Sequence, residues 1–195
     1  MFESKAASNP CSPQHSWNIC IYSDEVSPGN RIKPHNYRKL QTFYWTIKEI
    51  GHQAISNEDG WWLLTTSRSS TVSMLKDALS QVAKHAFLSF FQPVCDFSMG
   101  LLMPLGANSK FVLVAKLGLV IADEAALKQM CENKGASGKV PCLFCRNIVL
   151  KRWALERMDE NLTVHTCTDP SRFMLQTKET LFQTIDYLAA ESATQ

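Results

Sequence analysis

The stretch KFVLVAKLGLVIADEAALKQMCENKGASGKVPCLFC, Lys110 to Cys145, decides how the rest of the chain is read. Phe111 to Ala122 is an almost unbroken run of aliphatic and β-branched residues, the composition of a strand covered on both faces. Asp123 stands where that run stops. Its carboxylate is therefore presented at the strand's C-terminal end, where open α/β sheets carry their chemistry. Asp is also a preferred N-cap residue, and Glu124 to Glu132 has helical character, so capping is an equally physical role for Asp123. A glycine-bearing segment then leads into the Cys142-x-x-Cys145 knuckle.

Upstream of this stretch, three short runs read as strands. Trp17 to Ser23 (WNICIYS) ends at Asp24 and Glu25, before the turn cluster Ser27-Pro28-Gly29-Asn30. Leu40 to Ile50 carries aromatic and β-branched residues, and Trp61 to Thr66 (WWLLTT) follows a polar connection over Gly51 to Gly60. No helical pattern separates these runs, which suits an antiparallel meander. Thr71 to Phe91 then places Val72, Leu75, Leu79, Val82, Ala83, Ala86 and Phe90 on one face of a helix that Pro93 ends. Phe97 to Pro104 reads as a further short strand and Gly106 to Ser109 as a turn. The C-terminal third carries the knuckle, a helical pattern over Ile148 to Met158, a strand or loop over Leu162 to Thr168, a turn at Asp169-Pro170, and an amphipathic pattern over Glu179 to Ala190.

The bulk numbers set the frame. The 195 residues are 45% hydrophobic and 19% charged, enough for one domain with a sizeable core. A net charge of +2 neither announces a nucleic-acid binder nor excludes a local basic groove. No run approaches the roughly 18 apolar residues of a membrane span. The opening MFESKAASNPCSPQHSW lacks the apolar centre of a secretory signal and reads as a flexible lead-in over residues 1–16. Seven cysteines, an odd number, fit a reducing compartment with free or metal-bound thiols, which points to an intracellular protein.

Three antiparallel strands, a helix and a further strand resemble the opening of the ribonuclease H-like fold. The expected class is α/β, a mixed sheet in the order βββ-α-β-α over residues 17–140, with a zinc-knuckle-like appendage over 141–195. In that fold the first and fourth strands lie side by side and parallel, so acids at their ends, here Asp24 and Asp123, converge. Converging carboxylates can hold divalent ions about 4 Å apart around a scissile phosphate.

The segments YSDEVSPGN (Tyr22 to Asn30) and IADEAALKQMCENKGASGKVPCLFC (Ile121 to Cys145) resemble the catalytic core of CACTA-type and related eukaryotic DDE transposases. The shared features are an Asp on a first strand followed by a turn, a second Asp after an apolar strand and before an Ala-Leu pair (Ala126-Leu127), and glycines leading to Pro-Cys-x-x-Cys (Pro141 to Cys145). The similarity spans roughly residues 18–145. It implies that Asp24 and Asp123 are the first two acids of a DDE triad, binding Mg²⁺ or Mn²⁺ for cleavage and strand transfer at DNA phosphodiesters. It further implies DNA as partner and a nuclear location, and leaves a homo-oligomer open. The family's third acid lies well downstream. The late glutamates here are Glu179 and Glu191, neither of which is assigned that role, so the core reads as incomplete or inactive. The alternative is a catalytically silent, zinc-stabilised DNA-binding or protein-interaction domain of transposon origin.

Cys142 and Cys145, followed by His165-x-Cys167, supply four ligands of the types that hold structural zinc, in two pairs separated by a helix-length insertion. Ordinary buried thiols and a surface histidine are the competing reading, and a redox pair a third. Cys20 and Cys131 read as core residues. Arg31, Lys33, His35, Arg38 and Lys39 form either a DNA-backbone contact or a solvated loop. Trp61 and Trp62 read as structural.

Overall fold

The computed structural model describes residues 2–28, 38–104, 110–152, 161–165, 167–183 and 186. The chain divides into two compact units, Met1–Cys131 and Glu132–Gln195.

The first unit is built on a four-stranded mixed sheet. Its strands β1 (Trp17–Val26), β2 (Leu40–Ile47), β3 (Trp62–Arg68) and β8 (Ala115–Ala122) lie in the order β3-β2-β1-β8. The first three form the expected antiparallel meander, and β8 pairs parallel to β1. The unit is therefore mixed α/β, with antiparallel and parallel pairs in one sheet.

Alternation along β1 sorts its side chains between two faces. Trp17, Ile19, Ile21 and Ser23 are buried on one side, where Ile19 and Ile21 join Phe43, Ile47, Leu79, Ala83 and Phe90 in the core. Cys20, Tyr22 and Asp24 point to the other. Helix α4 (Ala78–Leu88) packs Leu79, Ala83 and Ala86 into this core, a spacing of four and then three residues that keeps them on one stripe. Helix α5 (Glu124–Met130) adds Ala126, Leu127 and Met130.

Several sequence expectations are corrected. Residues 1–16 do not form a bare lead-in. Phe2–Ser8 is a helix, and the Cys11 thiol donates to the Val114 carbonyl at 3.3 Å while accepting from the Val114 amide at 3.2 Å. Strand β1 does not stop at Ser23 but continues through Asp24 and Glu25 to Val26. The single helix expected over Thr71 to Phe91 is broken into α3 (Ser69–Val72) and α4. Between them the Ser73 hydroxyl donates to the Ser70 carbonyl at 2.9 Å, the local competition that makes serine a poor helix-interior residue. The polar connection before β3 contains a short helix, α2 (His52–Ile55).

The largest correction concerns the opening stretch. Phe111 to Ala122 is two strands, because the chain changes partner at Val114. Beyond the short antiparallel pair β4 (Phe91–Gln92) and β5 (Cys95–Asp96), β7 (Lys110–Leu113) pairs antiparallel with β6 (Leu101–Pro104), and only β8 joins the main sheet. β8 is not covered on both faces. Among the described residues it pairs with β1 alone, and Leu117, Leu119 and Ile121 are 40%, 50% and 40% exposed. An apolar run signals burial only if a neighbour is present to supply it. The expected turn at 106–109 lies outside the described residues.

Parallel pairing at β8 requires one glycine. The β1–β8 register runs Ile19↔Leu117 and then Cys20↔Leu119, so Gly118 is passed over. A Cβ on Gly118 would lie 2.5 Å from the Asn18 Cβ and 2.8 Å from its Oδ1, closer than real side chains approach. Asn18 in turn is held by Glu49, donating from its backbone amide at 2.9 Å and from Nδ2 at 2.7 Å.

Ser23 is the unusual core residue. It is 1% exposed, and its hydroxyl has no hydrogen-bond partner among the described residues. A buried unpaired hydroxyl costs about 1–3 kcal/mol. Ser23→Ala is therefore expected to raise the thermal midpoint by about 2–4 °C per kcal/mol recovered. A lowered midpoint in calorimetry would show that the hydroxyl has a stabilising partner.

The second unit contains a short parallel pair, β9 (Ile148–Val149) and β10 (Thr163–Val164). Asn147 anchors it: Nδ2 donates to the carbonyls of Asn161 (3.0 Å) and Arg172 (2.8 Å), and Oδ1 accepts from the Met174 amide at 2.8 Å. Ile148 and Val149 are thus strand rather than the start of the expected helix, and residues 153–160 lie outside the described residues. The turn at Asp169-Pro170 is present as a 3-10 turn, with Asp169 accepting from the Ser171 amide. Residues 178–183 are helical, and the rest of the expected amphipathic stretch is described only at 186.

Candidate functional site

The C-terminal ends of β1 and β8 bring the two aspartates named from the sequence to one place. The last paired couple in the parallel register is Ser23↔Ala122; Asp24 follows Ser23 within β1, and Asp123, one residue past the end of β8, is the N-cap of α5. Asp24 is half-buried and Asp123 exposed.

Each carboxylate has one oxygen committed. Asp24 Oδ2 accepts from the Tyr22 hydroxyl at 3.0 Å. Asp123 Oδ1 accepts from the Ala126 amide at 2.6 Å, which caps α5. The capping role read as an alternative for Asp123 is therefore filled. It uses one oxygen and leaves the other. Burial, then the hydrogen bond to Asp24 and the charges of Asp24 and Asp123, hold the Tyr22 phenol above its ordinary pKa, so both carboxylates act on the same phenol.

Tyr22 was not singled out from the sequence. The signal was available: it lies two residues before Asp24, and a strand's period of two sets both on one face. Its ring is held by Tyr44 across the β1–β2 pair, with centroids 6.3 Å apart and an interplanar angle of 24°, and by the edge of Trp61 at 6.0 Å. Trp61 is itself pinned by its indole donating to the Ile55 carbonyl at 2.8 Å. Below Asp24, Thr42 donates to the Asp24 carbonyl at 2.9 Å and fixes the backbone.

Glu25, the next residue, has a structural task. Its carboxylate takes Lys39 at 2.5 Å, Gln41 at 3.1 Å and the Ser69 hydroxyl at 2.9 Å, tying β1, β2 and α3 together. Lys39 foremost holds the Glu25 carboxyl below its ordinary range. Lys39 is thereby engaged, which weakens its reading as a DNA-backbone contact. Arg31, Lys33 and His35 lie outside the described residues.

Two carboxylates, each with one oxygen that no hydrogen bond reaches among the described residues, are a chemically fitting set for Mg²⁺ or Mn²⁺. Such ions keep several waters and take one or two protein carboxylates beside a substrate phosphate. Among the described residues no group of three or more His, Cys, Asp or Glu side chains is gathered closely enough to hold a metal ion. Glu179 has its carboxyl pKa lowered by its own backbone amide and the Thr177 hydroxyl. Glu191 lies outside the described residues.

The proposed zinc ligands are only partly assembled. Cys145 is buried, and its thiol is pushed above its ordinary pKa by burial and by the Cys142 thiol beside it. His165 and Cys167 do not join this pair in a group of three. The His165 amide donates to the Val149 carbonyl at 3.1 Å, and the Cys167 thiol accepts from Arg172 Nη1 at 3.7 Å. The arrangement presents half of a tetrahedral donor set. Of the two cysteines read as core, Cys20 is buried and Cys131 is exposed. Among the described residues no helix is long and apolar enough to cross a membrane.

No protein-family model, curated protein or solved structure matches the chain.

Proposed function

We propose that the first unit is a ribonuclease H-like domain of DDE-transposase type, whose Asp24 and Asp123 bind Mg²⁺ or Mn²⁺ against a DNA phosphodiester. The observation that carries this reading is the parallel register of β1 and β8. It ends on Ser23↔Ala122, the residues directly before Asp24 and Asp123, which supports the two carboxylates lying close together. Asp24 and Asp123 would hold a divalent ion, which would supply charge neutralisation of the phosphate and an activated water or 3′-hydroxyl. The chain's own contributions are positional. Asp24 offers the oxygen that Tyr22 leaves uncommitted, and Asp123 offers the one not spent on capping α5. By the same resemblance the expected location is nuclear.

A second reading is favoured by a specific observation: only two carboxylates are gathered, and no third acid joins them among the described residues. In it the chain is a catalytically silent DNA-binding or protein-interaction domain, stabilised by zinc on Cys142 and Cys145, a pair that His165 and Cys167 do not join in this structure. Mn²⁺ titration of the wild-type chain and of Asp24→Asn/Asp123→Asn, together with elemental analysis for zinc, separates the two. Aspartate-dependent Mn²⁺ binding supports the first reading. Zinc without such binding supports the second.

A further inference from the structure

We propose that Tyr22 is the positioning residue that makes Asp24 a single-oxygen metal ligand and thereby sets the site's preference for small divalent ions. The inference rests on the metal-site reading above and deepens it.

A carboxylate that turns freely about its last bond can offer one oxygen or both. The Tyr22 hydroxyl, donating to Asp24 Oδ2 at 3.0 Å, restricts that freedom: it fixes the carboxylate's rotation and takes one lone pair of Oδ2, so Oδ1 is the oxygen that no donor reaches among the described residues. The donor is itself fixed. Its ring is stacked on Tyr44 and bounded by Trp61, and the indole of Trp61 is hydrogen-bonded to the Ile55 carbonyl. Asp24 is held from behind as well, where Thr42 bonds its backbone carbonyl. Asp123 is limited in the same way by the Ala126 amide on Oδ1. Among the described residues each carboxylate thus keeps one oxygen that no hydrogen-bond donor reaches.

That geometry discriminates between ions. Mg²⁺, and Mn²⁺ with it, accepts single carboxylate oxygens within a near-octahedral shell completed by water, whereas Ca²⁺ takes six to eight oxygens and readily accepts both oxygens of one carboxylate. Partners that orient a ligating side chain typically contribute 10–100-fold to metal affinity. Tyr22→Phe keeps the ring against Tyr44 and Trp61 and removes only the donor.

The test is competition of Mg²⁺ and of Ca²⁺ against Mn²⁺ on the full chain, comparing wild type, Tyr22→Phe and the control Tyr44→Phe, with thermal denaturation confirming that each is folded. Tyr22→Phe is expected to lose roughly 10–100-fold in Mn²⁺ and Mg²⁺ affinity and much less in Ca²⁺ affinity, so the Mg²⁺/Ca²⁺ preference falls. Tyr44→Phe is expected to leave that preference unchanged. A merely structural role for the hydroxyl would weaken all ions alike, so equal losses overturn the proposal, as does unchanged or tighter Mn²⁺ binding. A wild-type chain that binds no Mn²⁺ overturns the metal-site reading and this inference with it. A wild-type site insensitive to Tyr22→Phe overturns this inference alone.

Discussion

Replacing both aspartates by asparagine is expected to abolish Mn²⁺ binding while leaving the fold intact. The loss should exceed the roughly 10–100-fold that removal of an orienting partner costs, because here both ligand charges go. The substitution isolates charge from structure at each position. Asn is as good an N-cap as Asp, so Asp123→Asn keeps the acceptor for the Ala126 amide and with it the start of α5. Asn at position 24 still offers a carbonyl oxygen to the Tyr22 hydroxyl. Isothermal titration with Mn²⁺ and a thermal melt on the same samples give the answer. A double variant that melts like wild type and binds no Mn²⁺ establishes an aspartate-dependent metal site. Retained Mn²⁺ binding would place the ion elsewhere and sink the assignment. Asp123→Ala is the complementary variant: it loses cap and ligand together, and is expected to cost about 1 kcal/mol of stability besides the ion.

Gly118→Val is expected to destabilise the first unit by roughly 1–3 kcal/mol, the usual range for forcing extra atoms into a packed site. Strand propensity alone points the other way, since valine favours strands and glycine does not. Space decides the sign. A Cβ at position 118 would meet the Asn18 Cβ at 2.5 Å, an atom that no side-chain rotation moves, so the Asn18 backbone must shift against the bond its amide makes to Glu49. The position has no left-handed backbone requirement, so the cost belongs to the close approach of β8 to β1. A urea titration reads the effect as a lower midpoint. A midpoint at or above wild type would mean that Asn18 yields freely and that the β1–β8 approach is looser than its geometry indicates. Because the same pairing ends on Ser23↔Ala122, directly before Asp24 and Asp123, this variant is also expected to weaken Mn²⁺ binding, though neither aspartate has been touched.

The sequence by itself determined the order of elements around the candidate site. Alternation and aromatic content marked the meander of β1, β2 and β3. The end of an apolar run marked Asp123, and the turn signals after Glu25 marked the end of the first strand near Asp24. These are local properties of a few consecutive residues, and they survive whatever the strands pack against. Tertiary structure decided the rest. Whether Phe111 to Ala122 was one strand or two depended on a change of hydrogen-bond partner at Val114, which no local pattern encodes. Leu117, Leu119 and Ile121 read as buried because they are apolar, yet burial belongs to the neighbour, and β8 has β1 on one side only among the described residues. The division of labour at Asp123, one oxygen for α5 and one uncommitted, and the clasp of Tyr22 on Asp24 are likewise matters of distance between atoms. Cys142 and Cys145 share a turn, so their spacing in sequence is enough to bring the thiols together. His165 and Cys167 are separated from them by about 20 residues of chain. Spacing of that length fixes no distance; only the folded path of the backbone does.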